Sequence, residues 1–363
     1  MNVNSMFEPT SKDFWRAIIL YGRNMSTYKM GLGHLLINYA DKNSQKIPLH
    51  ELSEDFLNLY QNRVKTGKPQ GRRNIINGVE KGLTYVEQES QKILQDGKNK
   101  EKAVNDVLKN SLENMVLKKF HTLFKRQIPE PFYLTTDSHL ILQDNLLNLF
   151  TDKQNSVMNS ELSSRWDLLE FGFGNTQSDE SLEIDENLEF VIQKRQRTQI
   201  SRLRPVLNGY QNNTCFYCGT ELFDPIHVDH VIPHTAVQHD EIWNLVLSHE
   251  QCNLWKSDFL PQKHFVQRLI NRNESVLKSD LPLKEELKKV LGITPEERNE
   301  RVWGQYSIAK NKGLKIWEGD EKFDPAQDNF YKQMIHISNE SFWERKFDKI
   351  SQGSQGQDSR NHQ

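Results

Sequence analysis

Cysteine is scarce in this chain. Only three occur in 363 residues, Cys215, Cys218 and Cys252. An odd number crowded into one segment excludes a disulfide framework and points to a metal site in a reducing compartment. Excess charge of either sign is also missing: 47 Lys and Arg against 49 Asp and Glu leave a formal net charge of -2. The molecule therefore lacks a bulk positive field, and any contact with nucleic acid must come from local patches. Long apolar runs are absent, none approaching the ~20 residues that cross a bilayer. The opening MNVNSMFEPTSKDFW has no basic region followed by an apolar one, so a cytoplasmic location is expected. No repeat period suggests a solenoid.

What is present describes an ordinary globular chain, with 36% hydrophobic and 26% charged residues. Single cores stop growing near ~250–300 residues, so more than one core is expected. Apolar residues recur at helical spacing in Phe14, Ala17, Ile18 and Tyr21, in Val104, Val107, Leu108, Leu112 and Met115, in Phe265, Leu269 and Ile270, and in Leu283, Leu287 and Val290. The segment KTGKPQGRR, 65–73, combines Gly, Pro and basic residues and reads as a loop. Residues 171–190 turn from Gly-rich to strongly acidic, which marks a boundary, and a basic helix is expected from Leu188 to Leu207. The division predicted is a helical region over 1–170, an acidic linker and basic connecting helix over 171–208, a small module over 209–262, a helical region over 263–350 and a disordered tail over 351–363. The fold class expected is mainly α and multidomain.

Chemistry concentrates in the module. Six of the twelve histidines lie between His227 and His264, and all three cysteines lie in the same region, from Cys215 to Cys252. Cys215 and Cys218 form a Cys-x2-Cys knuckle, whose spacing lets two thiolates from one turn face a single ion. His249 and Cys252 form a His-x2-Cys pair. Ser248 and Gln251 have the spacing of a capping box that would put this second pair on one face of a first helical turn. Two pairs of soft or borderline ligands suit tetrahedral Zn²⁺, and four protein ligands with no open position make the ion structural.

A zinc staple requires none of the residues that lie inside it. These are Asp229-His230 in an extended run ended by Pro233, then Trp243-Asn244-Leu245, then Asn253 directly after Cys252, with Lys256 following. The run Ile226 to Ile232 reads as a strand of a hairpin, and the following loop and helix complete a β-β-α unit. This pattern resembles the HNH nuclease family with the ββα-metal fold, in its zinc-stapled form, over about residues 209–262. His249 stands where many zinc-stapled members have a cysteine, a change that preserves zinc binding.

The resemblance implies a metal-dependent endonuclease acting on DNA. His230 would be the general base, Asp229 and Asn253 would hold Mg²⁺ or Mn²⁺, and Asn244 would fix the loop carrying the histidine. His227, two residues before Asp229 on the same strand face, is a candidate for approaching metal or substrate. Lys256 is a candidate phosphate contact, with an idle surface lysine as the alternative. Lys194, Arg195 and Arg197, in a basic run with Arg202 and Arg204, are candidate substrate contacts, with a solvated helix face as the equal alternative. Other basic clusters, such as Arg63, Lys65, Lys68, Arg72 and Arg73, read equally as solvated surface. A non-catalytic zinc module for nucleic-acid or protein recognition would explain the four zinc ligands but not the nuclease-like spacing of Asp229, His230, Asn244 and Asn253. The helical flanks leave room for protein partners and for an effector role in a defence or restriction system.

Overall fold

The computed structural model describes residues 9–72, 74–76, 79–97, 99–150, 154–175, 204, 206–237, 241–328 and 330–345. Helices dominate, with a few two- and three-stranded sheets among them. The chain divides into two compact units, one from the described parts of 1–71, 83–159 and 336–363, the other from those of 72–82 and 160–335. The expected basic helix over 188–207 falls almost wholly outside the described residues, and the tail over 351–363 does so completely.

In the first unit, helix α1 (Ser11–Tyr21) starts where it does because Thr10 and Asp13 cap each other reciprocally, side chain to backbone. Its Phe14, Ala17 and Ile18 are buried, and Trp15 packs against the rings of Phe120, Phe132 and Phe150. Helix α2 (Tyr28–Asp41) leads through strand β1 (Lys46–Pro48) into helix α3 (Leu49–Lys65). A Cβ on Gly31 would sit 2.6 Å from the Tyr60 ring, so glycine is required where α2 crosses α3. Helix α4 (Tyr85–Asp96) begins at a Thr84–Glu87 capping box, and α5 (Lys100–Val107) runs directly into a π-helical stretch, Leu108–Val116. The wider turn moves the buried face onto Ser111, Leu112 and Val116, and Met115, placed inward by helical spacing, is exposed. Strand β1 pairs with β3 (His139–Leu142), which pairs with β2 (Tyr133–Thr135), all antiparallel. Between α3 and residue 72 the chain is a loop, tied down where Thr27 donates to the Gln70 carbonyl at 2.9 Å and Gln70 donates to Glu87.

The second unit holds the cysteine- and histidine-rich module among helices. Strand β4 (Ile226–His230) pairs antiparallel with β5 (Leu245–His249), and α7 (Glu250–Lys256) follows without a break, which makes the β-β-α unit. The long helix Gln154–Asn175, α6, spans the boundary between the units. After the module come β6 (Leu260–Pro261), α8 (Lys263–Lys278), α9 (Lys284–Leu291), α10 (Pro295–Asn311) and β7 (Ile316–Trp317), the last pairing in parallel with β6. Every residue of β5 is buried while every residue of β4 is half-buried. The reason is that β5 is covered on its far edge: Phe216 donates to the Leu247 carbonyl, and the Gln211 amide pairs with both backbone groups of Leu247. The open face of the hairpin is therefore on β4.

Candidate active site and zinc site

The four candidate zinc ligands converge. One donor atom from each of Cys215, Cys218, His249 and Cys252 lies within 4.8 Å of all the others. Bonds of ~2.3 Å in a tetrahedron put ligand atoms ~4 Å apart, so the donor set suits zinc. Local structure explains the convergence. Gly219, with φ +70°, turns the knuckle back so that Cys215 donates to the Thr220 carbonyl at 2.7 Å. His249 turns Nδ1 towards the sulfurs, 3.5 Å from Cys218 and 3.9 Å from Cys252. Its Nε2 lies 3.0 Å from the Glu221 carbonyl, which accepts from it and fixes the tautomer that frees Nδ1. Phe223 stacks on the imidazole at 4.1 Å between ring centroids. Hydrogen bonds from Cys215 and then Cys252 pull the Cys218 thiol towards its thiolate, the form that binds metal.

The second pair is presented differently from the capping-box expectation. The helix begins one residue later, at Glu250, with His249 at the N-cap and no side-chain capping bond, and Ser248 belongs to β5. The Ser248 hydroxyl is buried without a hydrogen-bond partner. Pairing with His227 across the hairpin holds Ser248 extended, and this long-range contact outweighs the local capping signal.

Beside the zinc ligands lies a polar group. Alternation along β4 puts His227 and Asp229 on one face. Asn253, on the first turns of α7, brings its amide nitrogen to 3.1 Å from His227 Nδ1. Glu250 reaches within 4.0 Å of the other nitrogen of the same imidazole. One oxygen of Asp229, Oδ2, takes two partners, the Tyr217 hydroxyl at 2.5 Å and the Lys256 ammonium at 3.1 Å. Lys256 is 1% exposed, so it is neither an idle surface lysine nor a side chain displayed to solvent. Burial, and then the Asp229 charge, hold the Tyr217 phenol well above its usual range, so it stays protonated and donates. His230 ends β4, half-buried, with its ring 5.2 Å from that of His234.

Asn244 is fully buried, and its amide bonds Ile232 in both directions, Oδ1 accepting from the backbone N–H at 2.9 Å and Nδ2 donating to the carbonyl at 2.8 Å. The Val231 N–H donates to the Asn244 carbonyl. These bonds tie the chain just after His230 to the chain just before β5. Trp243, beside Asn244, is buried.

Several residues of this region escaped sequence reading. Arg272, buried in α8, donates to the carbonyls of Leu245 at 3.1 Å and Trp243 at 2.9 Å, and Asn273 donates to Trp243 at 3.1 Å, so α8 clamps the Asn244 loop. Arg268, one turn earlier, pairs with Asp328 and lies over the rings of Phe216, Phe323 and Tyr331. The available signal was arginine at positions which the helical period of Phe265, Leu269 and Val276 assigns to the core. Lys194, Arg195 and Arg197 lie outside the described residues.

Residues 215–259 match the family model of HNH endonucleases. The match begins at the first zinc ligand and takes in the hairpin and α7. No curated protein and no solved structure matches the chain.

Proposed function

We propose that the protein is an endonuclease that hydrolyses phosphodiester bonds in DNA with Mg²⁺ or Mn²⁺, with a zinc ion stapling the module. The observation that carries this reading is the union, in one β-β-α unit matching the HNH family, of a four-ligand cluster and the adjoining group of His227, Asp229 and Asn253. Both protein contacts of Asp229 use Oδ2, which leaves Oδ1 for a cation. Asn253 adds a second hard oxygen when its nitrogen faces His227. A divalent ion at these ligands would neutralise charge building on the scissile phosphate and at the leaving oxygen. His230 accepts the proton of the attacking water, since an imidazole titrates near working pH. Asn244 keeps His230 in place by pinning the residues that follow it, and His227 orients Asn253. The basic cluster of Lys194, Arg195 and Arg197 adds affinity for the phosphate backbone. Reduced zinc-ligand thiols favour a cytoplasmic setting, and the helical flanks would supply the trigger or partners of a defence or restriction system. Among the described residues no helix is long and apolar enough to cross a membrane.

The test is a nicking assay on supercoiled plasmid, read beside zinc content and a melting curve. His230→Ala should keep zinc, stability and DNA binding and lose cleavage by ~10²–10⁴-fold, the usual worth of a general base. Cys252→Ser should lose zinc and melt the module, taking activity with it. Substantial cleavage by His230→Ala would overturn the mechanism, and wild-type protein inert with every divalent ion would favour a recognition module.

A further inference from the structure

A lysine buried against the carboxylate that should hold a divalent cation needs an explanation. Lys256 Nζ is 3.1 Å from Asp229 Oδ2, and the lysine side chain is 1% exposed while that of Asp229 is 13% exposed. The other neighbours of the ammonium are the Ser257 carbonyl at 3.3 Å and the face of the Tyr217 ring at 5.9 Å. A buried charge persists where it is paired, so Asp229 is the reason Lys256 can lie there. The remaining members of the polar group, His227 and Asn253, bring no negative charge. Among the described residues Glu250 is a further acid nearby, 4.0 Å from His227 and half-exposed, where water weakens its field.

The charge balance follows. Asp229 contributes one negative charge and Lys256 cancels it, so these two side chains add about zero net charge for an incoming cation, beside a zinc site whose three thiolates and Zn²⁺ keep one negative charge. Hard divalent ions are held mainly by anionic oxygen, and affinity rises with the number of charged ligands. A phosphodiester brings the missing negative charge and two further oxygens. Resting on the catalytic reading above, we propose that Lys256 neutralises Asp229 and thereby makes binding of the catalytic divalent cation conditional on the phosphate of a bound nucleic acid. Lys256 and Tyr217 are positioning residues in this scheme. They anchor Oδ2, keep Oδ1 directed at the site, and stop the free enzyme from holding a loaded metal. Tyr217 ties this group to the zinc site, because it lies between the ligands Cys215 and Cys218.

The test is Mn²⁺ binding, followed by the loss of the free-ion magnetic resonance signal, in zinc-loaded full-length protein. Without DNA, Lys256→Met should bind Mn²⁺ about tenfold or more tightly than wild type, because one nearby positive charge is gone. Lys256→Arg, which keeps the charge, should stay close to wild type. With a duplex oligonucleotide on the His230→Ala background, and after subtraction of Mn²⁺ held by the duplex alone, affinity should rise where Lys256 is present and change much less where it is Met. Unchanged or weaker Mn²⁺ binding by a folded, zinc-replete Lys256→Met protein overturns the proposal. So does Mn²⁺ binding to His230→Ala that is equally tight with and without DNA, and this second measurement decides the matter if Lys256→Met does not fold. Asp229→Ala, added to His230→Ala and measured with the duplex bound, separates the two levels of argument: if it holds Mn²⁺ as tightly as His230→Ala alone, Asp229 is not a metal ligand, and the catalytic assignment fails together with the proposal.

Discussion

At the scale of single residues, burial decides what a polar side chain does. Asn244 satisfies both backbone groups of Ile232 from a fully buried position. Asn244→Ala should leave that N–H and carbonyl without partners, at ~1–3 kcal/mol each. A loss of about 2–4 kcal/mol in chemical denaturation, with zinc retained and cleavage impaired, is expected. His121, in the first unit, is pushed down to about 3, chiefly by burial and secondarily by the Lys29 charge. Its Nε2 accepts from the Phe132 N–H at 3.0 Å, which a neutral ring can do. Because the folded value is depressed below the ordinary ~6.5, the unfolded chain binds the proton first as pH falls. Stability is therefore whole above about pH 6.5 and is lost at up to ~1.4 kcal/mol per pH unit between there and the folded value. His121→Gln keeps an acceptor without titrating, and its melting temperature should fall less steeply from pH 7 to 4.5. Parallel curves would show that His121 does not govern the acid limb.

At the scale of elements, the hairpin and α7 carry the candidate site, and α8 holds the hairpin. Arg272 reaches from α8 to the carbonyls on either side of Asn244, and burial lowers its pKa only to about 10, so it remains a cation. Arg272→Met should fill most of the volume but strand those carbonyls, costing on the order of 3 kcal/mol, as for charged hydrogen-bond donors removed from a buried site. The loop should loosen before the zinc site does, so amide exchange should speed up over 242–245 while zinc content stays at one per chain. Exchange unchanged in that segment would mean that Asn244, Asn273 and the packing of Trp243 hold the loop without Arg272. The β-β-α element was legible in sequence because its signals are local: an alternating run stopped by proline, a knuckle with its glycine, and ligand pairs at fixed spacing. The start of α7 was misplaced by one residue because cross-strand pairing of Ser248 is a contact between distant parts of the chain.

At the scale of the whole molecule, the two compact units each carry their own core, and the zinc cluster belongs to the second. Structural zinc contributes folding free energy directly, so chelation should act on one unit selectively. Treating the protein with a strong zinc chelator should abolish exchange protection over 209–262 and lower one thermal transition, with Ser11–Lys65 still protected. Simultaneous loss of protection in both regions would show that they fold as one cooperative body.

Sequence by itself determined the mainly helical class, the four residues that cluster as candidate zinc ligands, and His227, Asp229 and Asn253 of the polar group. Each of these rests on residue type at a fixed short spacing, which survives without knowledge of the fold. Tertiary structure alone decided that Lys256 is buried against Asp229, that Tyr217 reaches from between two zinc ligands to the same carboxylate, and that Arg272 reaches back from α8 to the Asn244 loop. Those contacts join residues 12 to 27 positions apart, and nothing in local spacing reports them. The energy of a buried charge depends on what the rest of the chain packs around it.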